Sequence, residues 1–294
     1  MEKKTKITAI IIVGGIFLGL LLIILVGAVI SIFGDPQMMP GDKVALVEVY
    51  GTISSSQGIV DQLHRYRDDD SVKAIILRID SPGGVVAPVQ EIHRELTKLQ
   101  KKTVVSMGST AASGGYYIAC AADWIFANPG TLTGSIGVIM QLPKLGELMK
   151  KLGVEQEVIK SGRYKDAGSM HRKLTSEERE LFQETIDDVS QQFVDAILEG
   201  RQHKGLTGEQ IQEIADGRLL SGRQALERKL VDELGDLTDA IEYAGELGGI
   251  RGKPRVIKMK RSRSILERLT GGVFGSKLDQ IVPHQASLRY ELVF

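Results

Sequence analysis

Cysteine is almost absent from this 294-residue chain, which has a single one, Cys120. One cysteine cannot form an intrachain disulfide, and the cysteine–histidine clusters of common zinc sites are missing. Cys120 lies in an apolar segment, where a free cysteine usually serves as a small buried residue. We therefore expect no metal, no cofactor and no internal disulfide.

Net charge is lacking as well, because 37 basic residues balance 37 acidic ones. Aromatic residues make up 5% of the chain. A neutral chain with few aromatics has no basic stripe with interleaved aromatic side chains, the pattern typical of nucleic-acid-binding proteins. We expect no nucleic-acid partner.

One long segment has no charged residue at all. Residues 7–34 are uncharged and exceed the roughly 20 apolar residues that span a bilayer. We predict a single transmembrane helix there. Lysines precede it and Asp35 follows it, so the positive-inside rule places residues 1–6 in the cytoplasm and the rest outside. A cleaved signal peptide is the alternative, but its apolar region usually has only about 7–15 residues.

The remaining chain divides into a linker (35–43), an extracytoplasmic domain (44–249) and a basic tail (250–294). In the domain, strand-like apolar runs alternate with glycine turns and amphipathic helical segments, which predicts an α/β fold. In the tail, basic residues predominate up to residue 268, which is typical of a solvated segment. Attraction of this tail to anionic lipid headgroups is the alternative.

A serine lies at a predicted strand-to-helix turn of the domain. Residues 103–107 predict a strand and residues 116–122 a helix, with Ser113 and Gly114 between them. A hydroxyl at a helix N-terminus is favourably placed for developing negative charge, and the Gly114 amide could face an oxyanion. Ser113 is therefore a candidate nucleophile. The alternative is a simple helix N-cap, and the turn does not match the G-x-S-x-G nucleophile elbow.

A second glycine turn follows the predicted strand at residues 73–79. It reads Asp-Ser-Pro-Gly-Gly and ends at Gly83 and Gly84. Paired glycines allow backbone amides to approach another group closely, so this turn could supply a second oxyanion donor. An ordinary strand-to-helix turn fits the pattern equally well.

A serine nucleophile also needs a base. None of the five histidines lies in a glycine-rich loop suited to an active site. Lys165 does lie in a glycine-containing loop, directly after a predicted strand at residues 156–160. Lysines act as bases when burial lowers their pKa, but most loop lysines are solvated, and spacing alone does not decide between the two.

Five motifs extend this pattern along the chain. In chain order they are LRIDSPGG (77–84), SMGSTAASGGYY (106–117), TLTGSIGV (131–138), SGRYK (161–165) and ADGR (215–218). Together they resemble the signal peptide peptidase A family of serine proteases, in its short membrane-anchored form, over residues 44–234. The resemblance implies a Ser-Lys dyad.

In that dyad, Ser113 matches the family's nucleophile and Lys165 its general base. The amides of Gly84 and Gly114 match its oxyanion hole. The implied fold is α/β, built from repeated ββα units, and is similar to the Clp protease and crotonase superfamily. The family also implies a homo-oligomeric ring, an octamer seated on the membrane, in which neighbouring subunits complete the dyad.

The implied substrates are apolar peptides, above all signal peptides left in the membrane after secretion. We expect such a peptide to lie extended along strand edges at Gly51, Ile53, Gly83 and Val85, where main-chain pairing supplies affinity. Three alternatives stay open at this point: a related Ser-Lys protease acting on other membrane proteins, a crotonase-type acyl-CoA enzyme, and a non-catalytic membrane scaffold. The acyl-CoA enzyme would need acidic catalysts near the paired amides, and none is evident.

Overall fold

The computed structural model describes residues 18–22, 25, 41–259 and 288–291. The chain divides into two compact units, residues 1–42 and residues 43–294. In the first unit, the described residues 18–22 and 25 are helical and exposed. Within the described residues, no helix combines the length and the apolar character needed to cross a membrane. Most of the predicted helix at 7–34, the predicted N-terminus and most of the linker lie outside the described residues.

A parallel sheet forms the centre of the second unit. Its spatial order is β10 (Arg255–Lys258), β1 (Lys43–Tyr50), β2 (Val72–Ser81), β4 (Lys102–Ala112), β5 (Trp124–Ala127) and β9 (Glu233–Leu234). Every neighbouring pair in this order is parallel. Beside the end of β4 lies the parallel strand β6 (Leu132–Gly134), and β8 (Leu219–Ser221) pairs with β6 in the antiparallel direction.

A smaller antiparallel sheet contains a strand from the end of the chain. Its order is β3 (Gly83–Val85), β11 (Leu288–Glu291) and β7 (Ile139–Met140). The strand β11 therefore lies between two strands of the domain and pairs with both.

Helices connect the strands. In chain order they are α1 (Gln57–Arg67), α2 (Val86–Thr97), α3 (Gly114–Ala119), α4 (Gly146–Lys151), α5 (Ser176–Arg201), α6 (Gly208–Gln212), α7 (Gly222–Glu227) and α8 (Leu237–Leu247). Helices α5 to α8 each begin with a capping box, in which the N-cap side chain and the third helical residue satisfy each other's backbone amides. The sequence thus determines these helix starts locally.

The parallel strands are buried on both faces. Alternate side chains of β1 point to opposite layers: Val47 belongs to the larger core beneath α1, α2, α3 and α5, and Leu46 to a smaller core. In the smaller core, Ile76 and Phe126 pack with Ala240 of α8. Burial on both faces explains the nearly continuous apolar runs of β1 and β2. The prediction of an α/β fold is confirmed, with a sheet that is mostly parallel.

Two local expectations differ from the structure. Residues 156–160, predicted as a strand, are irregular, and Ile159 is 94% exposed. A strand needs a neighbour to pair its backbone, and in the part of the chain that the structure describes none lies beside this run. The domain also continues past residue 249, because β10 and β11 of the predicted tail pair with its sheets.

Candidate active site

Ser113 lies directly after β4, at the first turn of α3. Its N–H donates to the Gly134 carbonyl of β6 (2.8 Å), and its own carbonyl accepts from Tyr117 of α3 (2.8 Å). These two bonds fix the backbone of Ser113 between a strand and a helix. The residue is 1% exposed.

The backbone of Ser113 is strained. Its φ of 51° and ψ of −117° lie where side chains other than glycine are rare. Although Ser113 occupies the N-cap position of α3, its side chain makes no capping hydrogen bond. The simple N-cap interpretation is therefore not supported, and the hydroxyl is not committed to the helix.

Gly84 of β3 lies between Ile53, with which it forms an isolated parallel bridge, and the strand β11. On one side, the Ile53 N–H donates to Gly83 O and the Val85 N–H donates to Ile53 O, both at 2.8 Å. Adjacent residues of a strand turn their backbone groups to opposite edges, so the N–H and C=O of Gly84 face β11. A Cβ on Gly84 would overlap the backbone of Ile53, which explains the glycine.

The amides of the two glycine turns meet beside Ser113. A Cβ built on Gly114 would lie 3.1 Å from the Gly84 nitrogen, and one built on Gly83 would lie 2.8 Å from the Gly114 nitrogen. Gly83 also has a φ of +110°, which side chains rarely allow. The structure thus brings together Ser113, both predicted oxyanion glycines and the strand edge predicted for substrate.

Ser81 holds the first glycine turn in place. Its hydroxyl donates to the Gly51 carbonyl (2.6 Å) and accepts from the Gly83 N–H (3.1 Å). Gly51 itself has a φ of +68° and is exposed at the end of β1. This role of Ser81 was not predicted, although the position of Ser81 inside the LRIDSPGG motif was a signal.

The strand β11 occupies the edge predicted for substrate. Tyr290 lies opposite Gly84, with Arg289 opposite Val85. Because the backbone groups of Gly84 face β11, antiparallel pairing in this register directs the Gly84 N–H towards the Tyr290 carbonyl. The same carbonyl oxygen lies 3.0 Å from where a Gly114 Cβ would be. A peptide carbonyl therefore lies at the predicted oxyanion hole.

The Tyr290 side chain fills a pocket between helices. It is fully buried, and its ring stacks on Tyr117 of α3 (centroids 5.0 Å apart) and tilts against Phe193 of α5 (4.8 Å). The hydroxyl donates to the Val189 carbonyl (3.1 Å) and accepts a long hydrogen bond from the Gln90 amide (3.5 Å). Burial raises the pKa of Tyr290, so its hydroxyl keeps the proton that it donates.

Lys165 is placed differently from the other predicted residues. It lies in the loop between α4 and α5, where its side chain is exposed. Within the described residues, the Lys165 amine and the Ser113 hydroxyl share no hydrogen bond. The structure of the single chain does not unite the predicted dyad.

The loop that carries Lys165 is nevertheless anchored. The next residue, Asp166, accepts hydrogen bonds from the guanidinium of Arg172 (2.9 Å) and from Lys160 (2.5 Å). Arg172 also donates to Glu178, which closes the capping box of α5. The bond from Arg172 holds the pKa of Glu178 down at about 2. Lys165 is thus exposed on a loop with a defined conformation.

A serine beside two glycine amides, at an edge where an extended strand binds, is suited to the hydrolysis of a peptide. The sequence model described as Peptidase family S49 matches residues 95–251, and the one described as Clp protease matches residues 42–131. The first match spans more than half of the chain, which therefore belongs to peptidase family S49.

Curated relatives agree with this. A Synechocystis sp. protein named as a protease, slr0021, is 43% identical over 78% of this chain and 83% of its own length. An Enterococcus faecium protein named as signal peptide peptidase SppA is 38% identical over 63% of this chain and 54% of its own length. The chloroplastic serine protease SPPA of Arabidopsis thaliana is 33% identical over 80% of this chain and 37% of its own length. The predicted resemblance and the prediction of a serine-type peptidase are confirmed.

Proposed function

We propose that the chain is a membrane-anchored serine endopeptidase that uses a Ser113–Lys165 dyad on extended apolar peptides. The observation that carries the proposal is the position of the Tyr290 carbonyl, opposite Gly84 and 3.0 Å from where a Gly114 Cβ would be, beside a serine whose hydroxyl is not used in capping. A peptide in the same register would present its scissile carbonyl to Ser113. The name of the Enterococcus faecium relative supports signal peptides as substrates.

The chemistry follows from this arrangement. Neutral Lys165 takes the proton of the Ser113 hydroxyl while the serine oxygen bonds to the peptide carbonyl carbon. The resulting oxyanion accepts from the Gly84 and Gly114 N–H groups, each donor contributing roughly 2.7–4 kcal/mol. The C–N bond then breaks, and Lys165 returns the proton to the leaving amine. Water, deprotonated by the same lysine, then attacks the carbonyl carbon of the Ser113 ester. The ester C–O bond breaks, Lys165 returns the proton to the serine oxygen, and the peptide acid leaves.

The exposure of Lys165 supports a shared site. A lysine base must be shielded from water to stay neutral near pH 7, and the described residues of one chain leave this side chain exposed. A neighbouring copy in a ring, octameric in the resembling family, would cover the loop and bring Lys165 of one subunit to Ser113 of the next. The exposed apolar residues Leu152 and Ile159 beside the loop fit such a contact.

The location is part of the proposal. The uncharged segment at 7–34 would anchor the chain in the cytoplasmic membrane, with residues 1–6 inside and the catalytic domain outside. The fold would be of the Clp protease and crotonase type, which the Clp protease match supports. A site held at the outer membrane surface would meet signal peptides where they remain after secretion.

The test is hydrolysis of a fluorogenic apolar peptide by the full chain in detergent. We compare the parent with Ser113→Ala and Lys165→Ala, and use Lys173→Ala, another exposed lysine, as the matched control. The parent and the control should cleave, and both dyad variants should fold but lose about 10³-fold or more in kcat. Equal rates in all four proteins would reject the dyad.

A further inference from the structure

We infer that the pocket around Tyr290, built from Gln90, Tyr117, Val189 and Phe193, selects a tyrosine side chain in the substrate residue whose carbonyl lies at Gly84. This inference rests on the proposed function, because it names the substrate side chain for the same site. We call this cavity the tyrosine pocket.

The first step is register. A strand sends alternate side chains to opposite faces, so one residue in two can enter a pocket below the strand. In β11, Tyr290 is buried, while its neighbours Arg289 and Glu291 are partly exposed and form an ion pair with each other (2.7 Å). In this register, the side chain opposite Gly84 is therefore the one that enters the tyrosine pocket.

The second step is that the groove belongs to the domain. Gln90 lies on α2, Tyr117 on α3, and Val189 and Phe193 on α5. The backbone slot is formed by β3 on one side and β7 on the other. Any extended peptide that enters the slot in the register of β11 meets the same walls.

The third step is shape. The Tyr117 and Phe193 rings lie at centroid distances of 5.0 and 4.8 Å from the Tyr290 ring and 5.0 Å from each other, so the three rings form one cluster in which each contacts the other two. Aromatic pairs in such offset or tilted geometry gain more than their buried area alone provides. An aliphatic or small side chain would lose this contact.

The fourth step is polarity. At the hydroxyl end of the tyrosine pocket, the tyrosine hydroxyl donates to the Val189 carbonyl (3.1 Å) and accepts from the Gln90 amide (3.5 Å). The Gln90 amide also donates to the Gln192 side chain (2.9 Å). A phenylalanine would fill the same space, but it has no hydroxyl to bond to the Val189 carbonyl and the Gln90 amide. Sites built to hydrogen-bond a hydroxyl discriminate against analogues that lack it.

The experiment uses three fluorogenic peptides that are identical except for tyrosine, phenylalanine or alanine at the residue before the cleaved bond. With the full chain, we expect kcat/KM to fall about tenfold from tyrosine to phenylalanine. It should fall about 100-fold or more from tyrosine to alanine. Mass spectrometry should place the cut on the carboxyl side of tyrosine. Equal kcat/KM for the three peptides, or a cut elsewhere, would overturn the inference.

A variant and a binding measurement separate this inference from the proposed function. Gln90→Leu should lower the ratio of kcat/KM for the tyrosine peptide to that for the phenylalanine peptide; an unchanged ratio would remove Gln90 from the pocket. Binding of the three peptides to Ser113→Ala protein, followed by fluorescence anisotropy, needs no hydrolysis. Preference for tyrosine there supports the pocket even if no peptide is cleaved, and equal affinities reject it even if all are cleaved.

Discussion

At the scale of single residues, the site depends on one strained backbone position. Ser113 keeps a φ that serine avoids, since its N–H is fixed by Gly134 and its carbonyl by Tyr117. Such strain costs about 1–3 kcal/mol and persists where surrounding contacts determine the conformation. At this strained position the hydroxyl makes no capping bond with the helix that it precedes.

Ser113→Gly should therefore stabilise the fold while it abolishes hydrolysis. Relief of about 1–3 kcal/mol exceeds the roughly 0.4–1 kcal/mol that glycine loses through a more flexible unfolded chain. Thermal unfolding should show a higher Tm than in Ser113→Ala. As the control, Ser109→Gly, at an exposed position of β4 without a positive φ, should lower the Tm. A Tm for Ser113→Gly below that of Ser113→Ala would show that the position is not strained.

At the scale of elements, the loop carrying Lys165 depends on carboxylates that stay ionised. The hydrogen bond from Arg172, followed by that from the Thr175 N–H, lowers the pKa of Glu178 from 4.5 to about 2. A depressed pKa adds stability that is present above about pH 4.5 and is lost as the pH falls towards 2. Asp166 shifts in the same direction, first through Arg172 and then through Lys160.

Glu178→Gln should flatten the acid limb of the stability curve. Urea unfolding of the parent between pH 6 and pH 3 should show a steep fall in the free energy of unfolding, and the variant a shallower one. The exposed neighbour Glu180→Gln is the matched control and should keep the parent's slope. If Glu178→Gln keeps that slope too, the network around Arg172 does not hold the loop.

The strand β11 is the second element with a consequence for activity. It occupies the edge that a substrate peptide would use, so it competes with the substrate from within the chain. Tyr290→Ala removes the ring from the tyrosine pocket and should lower KM for a tyrosine peptide several-fold with little change in kcat. The exposed Arg251→Ala should leave both unchanged. A KM for Tyr290→Ala equal to the parent's would mean that β11 does not occupy the groove in solution.

The sequence allowed the prediction of those parts of the site whose signals are local. The glycine turn before Gly84 and the strand-to-helix turn at Ser113 follow from short patterns and lie where they were expected. The pairing of β11 could not be predicted, because a four-residue strand has a weak pattern and its partners lie far away in the chain. The alternation in Leu-Arg-Tyr-Glu was the signal available. The surroundings of Lys165 could not be predicted either, since the burial of a loop depends on its tertiary neighbours.

At the scale of the whole molecule, a dyad shared between subunits makes a prediction about mixtures. Ser113→Ala chains keep Lys165, and Lys165→Ala chains keep Ser113. When the two inactive proteins are dissociated, mixed and reassembled, some neighbouring pairs regain an intact site, and up to about a quarter of the parent's activity should return if pairing is random. Mixing either variant with itself is the control. No recovery, despite mixed assemblies by mass spectrometry, would place the dyad within one chain.

The central claim is that Ser113 is the nucleophile, and covalent labelling tests it most directly. A fluorophosphonate bonds to an activated serine oxygen, so intact mass should show one adduct per reactive chain and peptide mapping should place it on Ser113. The adduct should be absent in Ser113→Ala and strongly reduced in Lys165→Ala. Labelling of a different serine, or peptide hydrolysis that continues in Ser113→Ala, would contradict the account.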